Sequence, residues 1–138
     1  MELTKFPKVT IILRGYDYSQ VKTVMEVLEG QEEHFALEIT LNSPDVFETI
    51  RKIAGEYGSR FLIGAGTVLN MADARKAVDS GAAFILSPVV LDAEVIAYCK
   101  GKGVLTVPAA MTPSEVQTLK VAGADIIKIF PATSVDIS

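Results

Sequence analysis

Ala124-Asp125-Ile126-Ile127-Lys128-Ile129-Phe130-Pro131-Ala132 is a β-type apolar run with one lysine in its middle. In a buried strand the Lys128 ammonium sheds water, and desolvation disfavours the charged form, which is how an amine becomes a nucleophile near neutral pH. The plainer alternative is a lysine whose stem covers apolar surface while its head reaches solvent at the strand end. The surroundings of the strand decide between them.

Outward from this stretch the same kind of run recurs. β-branched strands are read at 9–14, 35–40, 61–64, 83–87 and 104–107, each followed by an amphipathic stretch, so that a strand and its helix occupy roughly 20–25 residues, the rhythm of successive βα units. The helix over 19–28 carries Val21, Val24, Val27 and Leu28 on one face and stops at Gly30. Ser43 is expected to cap the next helix, with Pro44 in its first position, Val46, Ile50 and Ile53 as its buried stripe, and an end near Gly58. Asn70 and Asp73 resemble a capping box for a helix that ends near Ser80 and Gly81. A helix over 93–100 finishes at Gly101 and Gly103. Thr112, Pro113 and Glu115 then supply N-cap, N1 proline and N3 glutamate for the last helix, which Gly123 ends.

Six strands of similar size, joined by short loops, predict a parallel sheet with helices outside, either doubly wound or closed into a barrel. Uniform unit length and polar or small residues at the strand C-termini favour the barrel. Arg14, Glu38, Thr40, Thr67, Ser87 and Lys128 then converge on one face, where barrel enzymes keep their chemistry. The expected fold is a single α/β domain over 1–138, of the (β/α)8 TIM-barrel class but with only about six βα units.

Composition narrows the function. The chain has 138 residues, 49% of them hydrophobic, enough for one domain with its own core. A net charge of -4 and scattered lysines and arginines provide no basic field for nucleic acid. Cys99 has no second cysteine to pair with, and with His34 the only histidine there is no zinc pattern. No apolar run approaches the ~18 residues of a membrane span, and the N-terminus has no signal-peptide core, so no membrane is expected and the expected location is the cytoplasm. Gly64 and Gly66 begin a Gly-x-Gly pattern whose third glycine is missing, Asn70 not supplying it, and no cofactor is expected.

The motifs Glu38-Ile39-Thr40, Gly64-Ala65-Gly66-Thr67-Val68-Leu69-Asn70, Ser87-Pro88, Val107-Pro108 followed by Met111-Thr112-Pro113-Ser114-Glu115, and Lys128-Ile129-Phe130-Pro131-Ala132 occur in this order. From Val9 to Ala132 the chain resembles the 2-keto-3-deoxy-6-phosphogluconate / 4-hydroxy-2-oxoglutarate (KDPG/KHG) aldolase family, class I aldolases on a (β/α)8 barrel that assemble as homotrimers. The resemblance implies Lys128 as the Schiff-base lysine and Glu38 as the acid/base. It implies Arg14 and Thr67 on the carboxylate of a 2-oxo acid, Pro88 and Phe130 lining the pyruvate pocket, and Gly64 and Gly66 letting substrate approach the backbone. The implied reaction releases pyruvate and an aldehyde, glyceraldehyde 3-phosphate or glyoxylate.

There are departures from the family pattern. Asn42 stands where many members carry an arginine, so the carboxylate clamp is expected to rest on Arg14, Thr67 and the Asn42 amide. Val89 and Ala109 replace glycines and add side chains near the pocket mouth. The family holds a substrate phosphate on loops after the seventh and eighth strands, which are not read here, so 4-hydroxy-2-oxoglutarate is expected to lose least. The first and sixth strands are expected to be open, apolar edges that invite pairing with another chain. Besides the aldolase, a catalytically silent truncated barrel serving as an assembly module fits the sequence. A lysine-independent phosphate-binding barrel leaves Lys128 and Glu38 unexplained.

Overall fold

A computed structural model describes residues 1–134. Its elements are β1 (Val9–Leu13), α1 (Tyr18–Leu28), β2 (Phe35–Thr40), α2 (Val46–Tyr57), β3 (Ile63–Gly66), α3 (Met71–Asp79), β4 (Phe84–Leu86), α4 (Ala93–Gly101), β5 (Leu105–Val107), β6 (Ala109–Ala110), α5 (Pro113–Ala122) and β7 (Lys128–Ile129). Strands β1 to β5 lie side by side in chain order, each pair parallel, and β6 pairs in parallel with β7.

Pro108 separates β5 from β6, but one ladder spans the break. Ile126 N donates to Thr106 O (3.1 Å), Lys128 N to Pro108 O (2.9 Å) and Phe130 N to Ala110 O (3.2 Å). The lysine segment is therefore the sixth strand line, laid along the fifth. A doubly wound sheet reverses its order at a switch point; among the described residues this one never does. Its winding is that of a barrel wall, and β1 pairs only with β2 there, which leaves Val9 and Ile12 about half exposed.

Side chains alternate across each strand and make two cores. Leu37, Ile39, Ile63, Ala65 and Ile85 face outward and meet Val21, Met25, Ile50, Ile53, Ile96, Cys99 and Leu119 of the helices and their flanks. Each such aliphatic side chain contributes about 1.5–3 kcal/mol by leaving water. The Cys99 thiol is buried there and its pKa is pushed up to about 11, so it is an inert core group. Ala36, Phe84, Leu86 and Val107 face inward, where Phe6 and Ile126 join them; the Phe6 and Phe84 rings meet edge to face at 5.3 Å. The segment before β1 thus plugs the bottom of the concave side, a role not read from its sequence. Among the described residues no helix is long and apolar enough to cross a membrane.

Several expectations need correction. Ser43 does not cap α2: its hydroxyl accepts from Gly15 N (2.9 Å) and contacts Thr40 Oγ1 (3.2 Å), while Asp45, at φ 45°, precedes the helix. A tertiary partner outbids the local one. At α3 only half of the box forms, because Asn70 accepts from Asp73 N but Asp73 accepts from Leu69 N instead. The box at Thr112 and Glu115 is complete, as is one at Asp17 and Gln20 that the sequence reading overlooked. The nine-residue lysine run contributes only two residues of regular strand.

Candidate active site

The concave face follows from the register. Ile12 lies opposite Glu38, Glu38 opposite Gly64, Thr40 opposite Gly66, and Ala109 opposite Lys128. Arg14 follows β1 on the same alternation, so an arginine, a glutamate and a lysine from three separate strand lines look into one hollow.

Glu38 is 2% exposed, and its Oε2 has no hydrogen-bond partner among the described residues. Burial raises its pKa, while the charges of Lys128 and Arg14 pull it back. Lys128 is half-buried; burial lowers its pKa, the Glu38 charge opposes that shift and the Arg14 charge adds to it. Among the described residues neither side chain is engaged in an ion pair. Glu38 is thus no structural counter-ion clamped to a base. Burial shifts the amine toward its free form and the carboxyl toward its acid form, the direction that imine chemistry uses. Lys128 Nζ also lies 4.2 Å from the Phe130 ring centroid. Phe130 was expected to line the pyruvate pocket; its ring also attracts the Lys128 cation.

Arg14, Asn42 and Thr67 do come together. Arg14 Nη1 donates to Asn42 Oδ1 (3.2 Å), with a longer contact to Thr67 Oγ1 (3.5 Å), and Thr40 Oγ1 donates to the same Asn42 oxygen (2.6 Å). The Asn42 carbonyl orients the guanidinium, a function an arginine there could not serve. Thr67 has φ 61°, in the left-handed region, where a β-branched residue is strained by about 1–3 kcal/mol. Ser87 does not join the hollow: it is buried, and its hydroxyl accepts from Val89 N (3.2 Å). Pro88, Val89, Ala109, Met111 and Phe130 border a cavity of about 450 Å³ whose lining includes none of Arg14, Glu38, Thr67 and Lys128, so both glycine replacements line a groove beside the hollow.

Two further features escaped sequence reasoning. Asp125 Oδ2 accepts from Thr106 N (2.9 Å) and is 3.4 Å from Thr106 Oγ1, latching the start of the lysine segment to β5. An aspartate heading an apolar strand was its only signal. The space beside Gly64 is filled by the Phe84 ring, to which a Cβ would come within 2.5 Å, and the space beside Gly66 by the Glu38 carboxyl. Among the described residues no group of three His, Cys, Asp or Glu side chains could hold a metal.

Comparison with known proteins sets this geometry in context. A family model described as KDPG and KHG aldolase matches residues 2–137. The probable 2-dehydro-3-deoxy-6-phosphogalactonate aldolase of Rhizobium meliloti is 38% identical over 122 residues, covering 88% of this chain and 57% of the relative. The 2-dehydro-3-deoxy-6-phosphogalactonate aldolase of Escherichia coli K12 is 38% identical over 132 residues, covering 95% and 62%. A solved structure described as native KDPGal superposes with a TM-score of 0.87 at 32% identity, over 97% of this chain and 64% of that one. The chain therefore spans about three fifths of the length of these relatives.

Proposed function

This chain belongs to the KDPG and KHG aldolase family, and on that basis we propose that the protein is a Schiff-base aldolase that cleaves short 2-oxo acids to pyruvate and an aldehyde. The observation that carries the reading is the pairing of a half-buried lysine, its pKa lowered by burial, with a buried carboxyl whose pKa burial raises, both on one concave face.

The steps follow from those two groups. The neutral Lys128 amine attacks the C2 carbonyl, whose oxygen takes a proton to give a carbinolamine. Protonated Glu38 then supplies the proton with which that hydroxyl leaves as water, and an iminium remains. The C3–C4 electron pair flows into the iminium as the C4 hydroxyl loses its proton, giving the enamine of pyruvate and a free aldehyde. Protonation at C3 and addition of water release pyruvate and restore the amine. Arg14, with Asn42 behind it and Thr67 alongside, receives the substrate carboxylate. Gly64 and Gly66, read from the sequence as openings for substrate, are filled by protein side chains instead.

The relatives at 38% identity are named for the phosphogalactonate compound. Together with 2-keto-3-deoxy-6-phosphogluconate and 4-hydroxy-2-oxoglutarate it shares the pyruvyl half that this hollow is built to grip, and these three acids are the proposed substrates. A homotrimer in the cytoplasm is proposed on the family resemblance alone. Pyruvate release from each acid, followed with lactate dehydrogenase, tests the reading. Turnover of at least one, lost in Lys128→Ala, is expected; a folded, soluble chain that cleaves none is instead the silent barrel.

A further inference from the structure

Gly66 closes β3 opposite Thr40 of β2, two pairs beyond Glu38 and Gly64. Thr40 and Glu38 lie two residues apart, so a side chain at position 66 would share the concave face with the Glu38 carboxyl. A Cβ built on Gly66 falls on Glu38 Oε1 and lies 2.6 Å from Cδ and 3.2 Å from Cγ. Gly66 does not have a positive φ, so its backbone conformation is open to any residue. Space, rather than conformation, calls for glycine here.

The carboxyl in that space is held in an unusual way. Glu38 is 2% exposed, its Oε2 has no partner, and among the described residues no hydrogen bond ties down either oxygen. The charged groups facing it are Arg14, from the end of β1, and Lys128, from β7, and neither forms an ion pair with it among the described residues. With no bonded anchor, its place is set by the walls around it. We propose that Gly66 is a positioning residue for the acid/base: the volume left by its missing side chain is the seat of the Glu38 carboxyl. The role of that carboxyl in catalysis rests on the function proposed above; the seat itself does not. Gly64 is the internal contrast, because the atoms nearest to a Cβ there belong to the Phe84 ring rather than to the Glu38 carboxyl.

Two experiments on the full chain decide it. In a thermal-unfolding cycle, Gly66→Ala should lower the melting temperature by about 5–10 °C in the wild-type background and by less than half as much when combined with Glu38→Ala, which empties the seat. If Gly66→Ala fails to fold while the double variant folds, the seat is supported. Equal losses in both backgrounds, or a double variant that also fails, overturn it.

The second readout is deuterium exchange into the methyl group of pyruvate, followed by NMR across pH. Gly66→Ala pushes the carboxyl toward water, so its acid limb should move to lower pH and the rate should fall at least about tenfold. Gly64→Ala should leave the limb where it is. An unmoved limb in a folded Gly66→Ala variant contradicts positioning. A wild-type chain that exchanges nothing sinks the aldolase reading, while the unfolding cycle still decides the seat.

Discussion

Lys128 Nζ sits 4.2 Å from the centroid of the Phe130 ring, two residues further along the same strand face. The ring's quadrupole favours the ammonium, whereas burial, the main cause of the lowered Lys128 pKa, favours the free amine. Phe130→Leu keeps apolar cover and removes the quadrupole. At about 0.5–1 kcal/mol for such a contact, the apparent pKa for imine formation should drop by about half a unit. The pH dependence of reductive trapping with pyruvate measures it; a rise would mean that the ring acts chiefly by excluding water.

Glu38 makes the folded state sensitive to pH in an uncommon direction. Its pKa is raised in the native state, so between the unfolded value of 4.5 and that raised value the native chain keeps a proton that the unfolded chain has released. Stability must then fall as pH rises through the window. Glu38→Gln removes this loss, and should be more stable than wild type at pH 7 with the difference vanishing below about pH 4.5. Lys128→Met should likewise stabilise at pH 7, with the gain lost above about pH 10.5, because the lowered pKa of Lys128 means that the native state binds its proton less tightly. Urea titrations at several pH values check both signs.

Thr67 couples strain to binding. A threonine at φ 61° is costly, and its hydroxyl faces Arg14. Thr67→Gly should raise stability by about 1 kcal/mol while weakening the hold on the substrate carboxylate, seen as a raised KM with a smaller change in kcat. A variant that is destabilised, or that keeps its KM, would show that the residue is neither strained nor part of the clamp.

The latch at the head of the lysine segment is testable without substrate. Thr106 is fully buried, and its N–H donates to Asp125. Asp125→Ala leaves that donor unsatisfied and should cost about 1–3 kcal/mol in urea unfolding, with Asp125→Asn recovering part of it through the remaining amide oxygen. Equal losses in the two variants would show that the bond carries no weight.

How much of this was legible from the residues depended on the range of the interactions. β2 matches the strand read over 35–40, because Phe35 to Thr40 alternates cleanly and is rich in apolar residues. The capping box at Thr112 is local, its two partners three positions apart, and formed as read. Ser43 was misread because Gly15, its actual partner, lies 28 residues away, and a short-range capping rule cannot see that competitor. Asp125 and Thr106 are 19 residues apart, and the reason for Gly66 is a side chain on another strand. The convergence of Arg14, Glu38 and Lys128 was foreseen because a barrel collects strand C-termini on one face whatever the loops do. The hydrogen-bonding of Asn42, which turns a departure from the family pattern into a support for Arg14, needed coordinates.

The central claim is that Lys128 is an activated amine in a formed pocket. Its most direct test is to incubate the chain with pyruvate and sodium borohydride, take the intact mass, and map the adduct by peptide sequencing. Stoichiometric N-carboxyethylation at Lys128, absent in Lys128→Ala and slowed in Glu38→Gln, is the result this account requires. Folded protein that takes no adduct, or takes it on surface lysines at the same rate with and without Lys128, would contradict it.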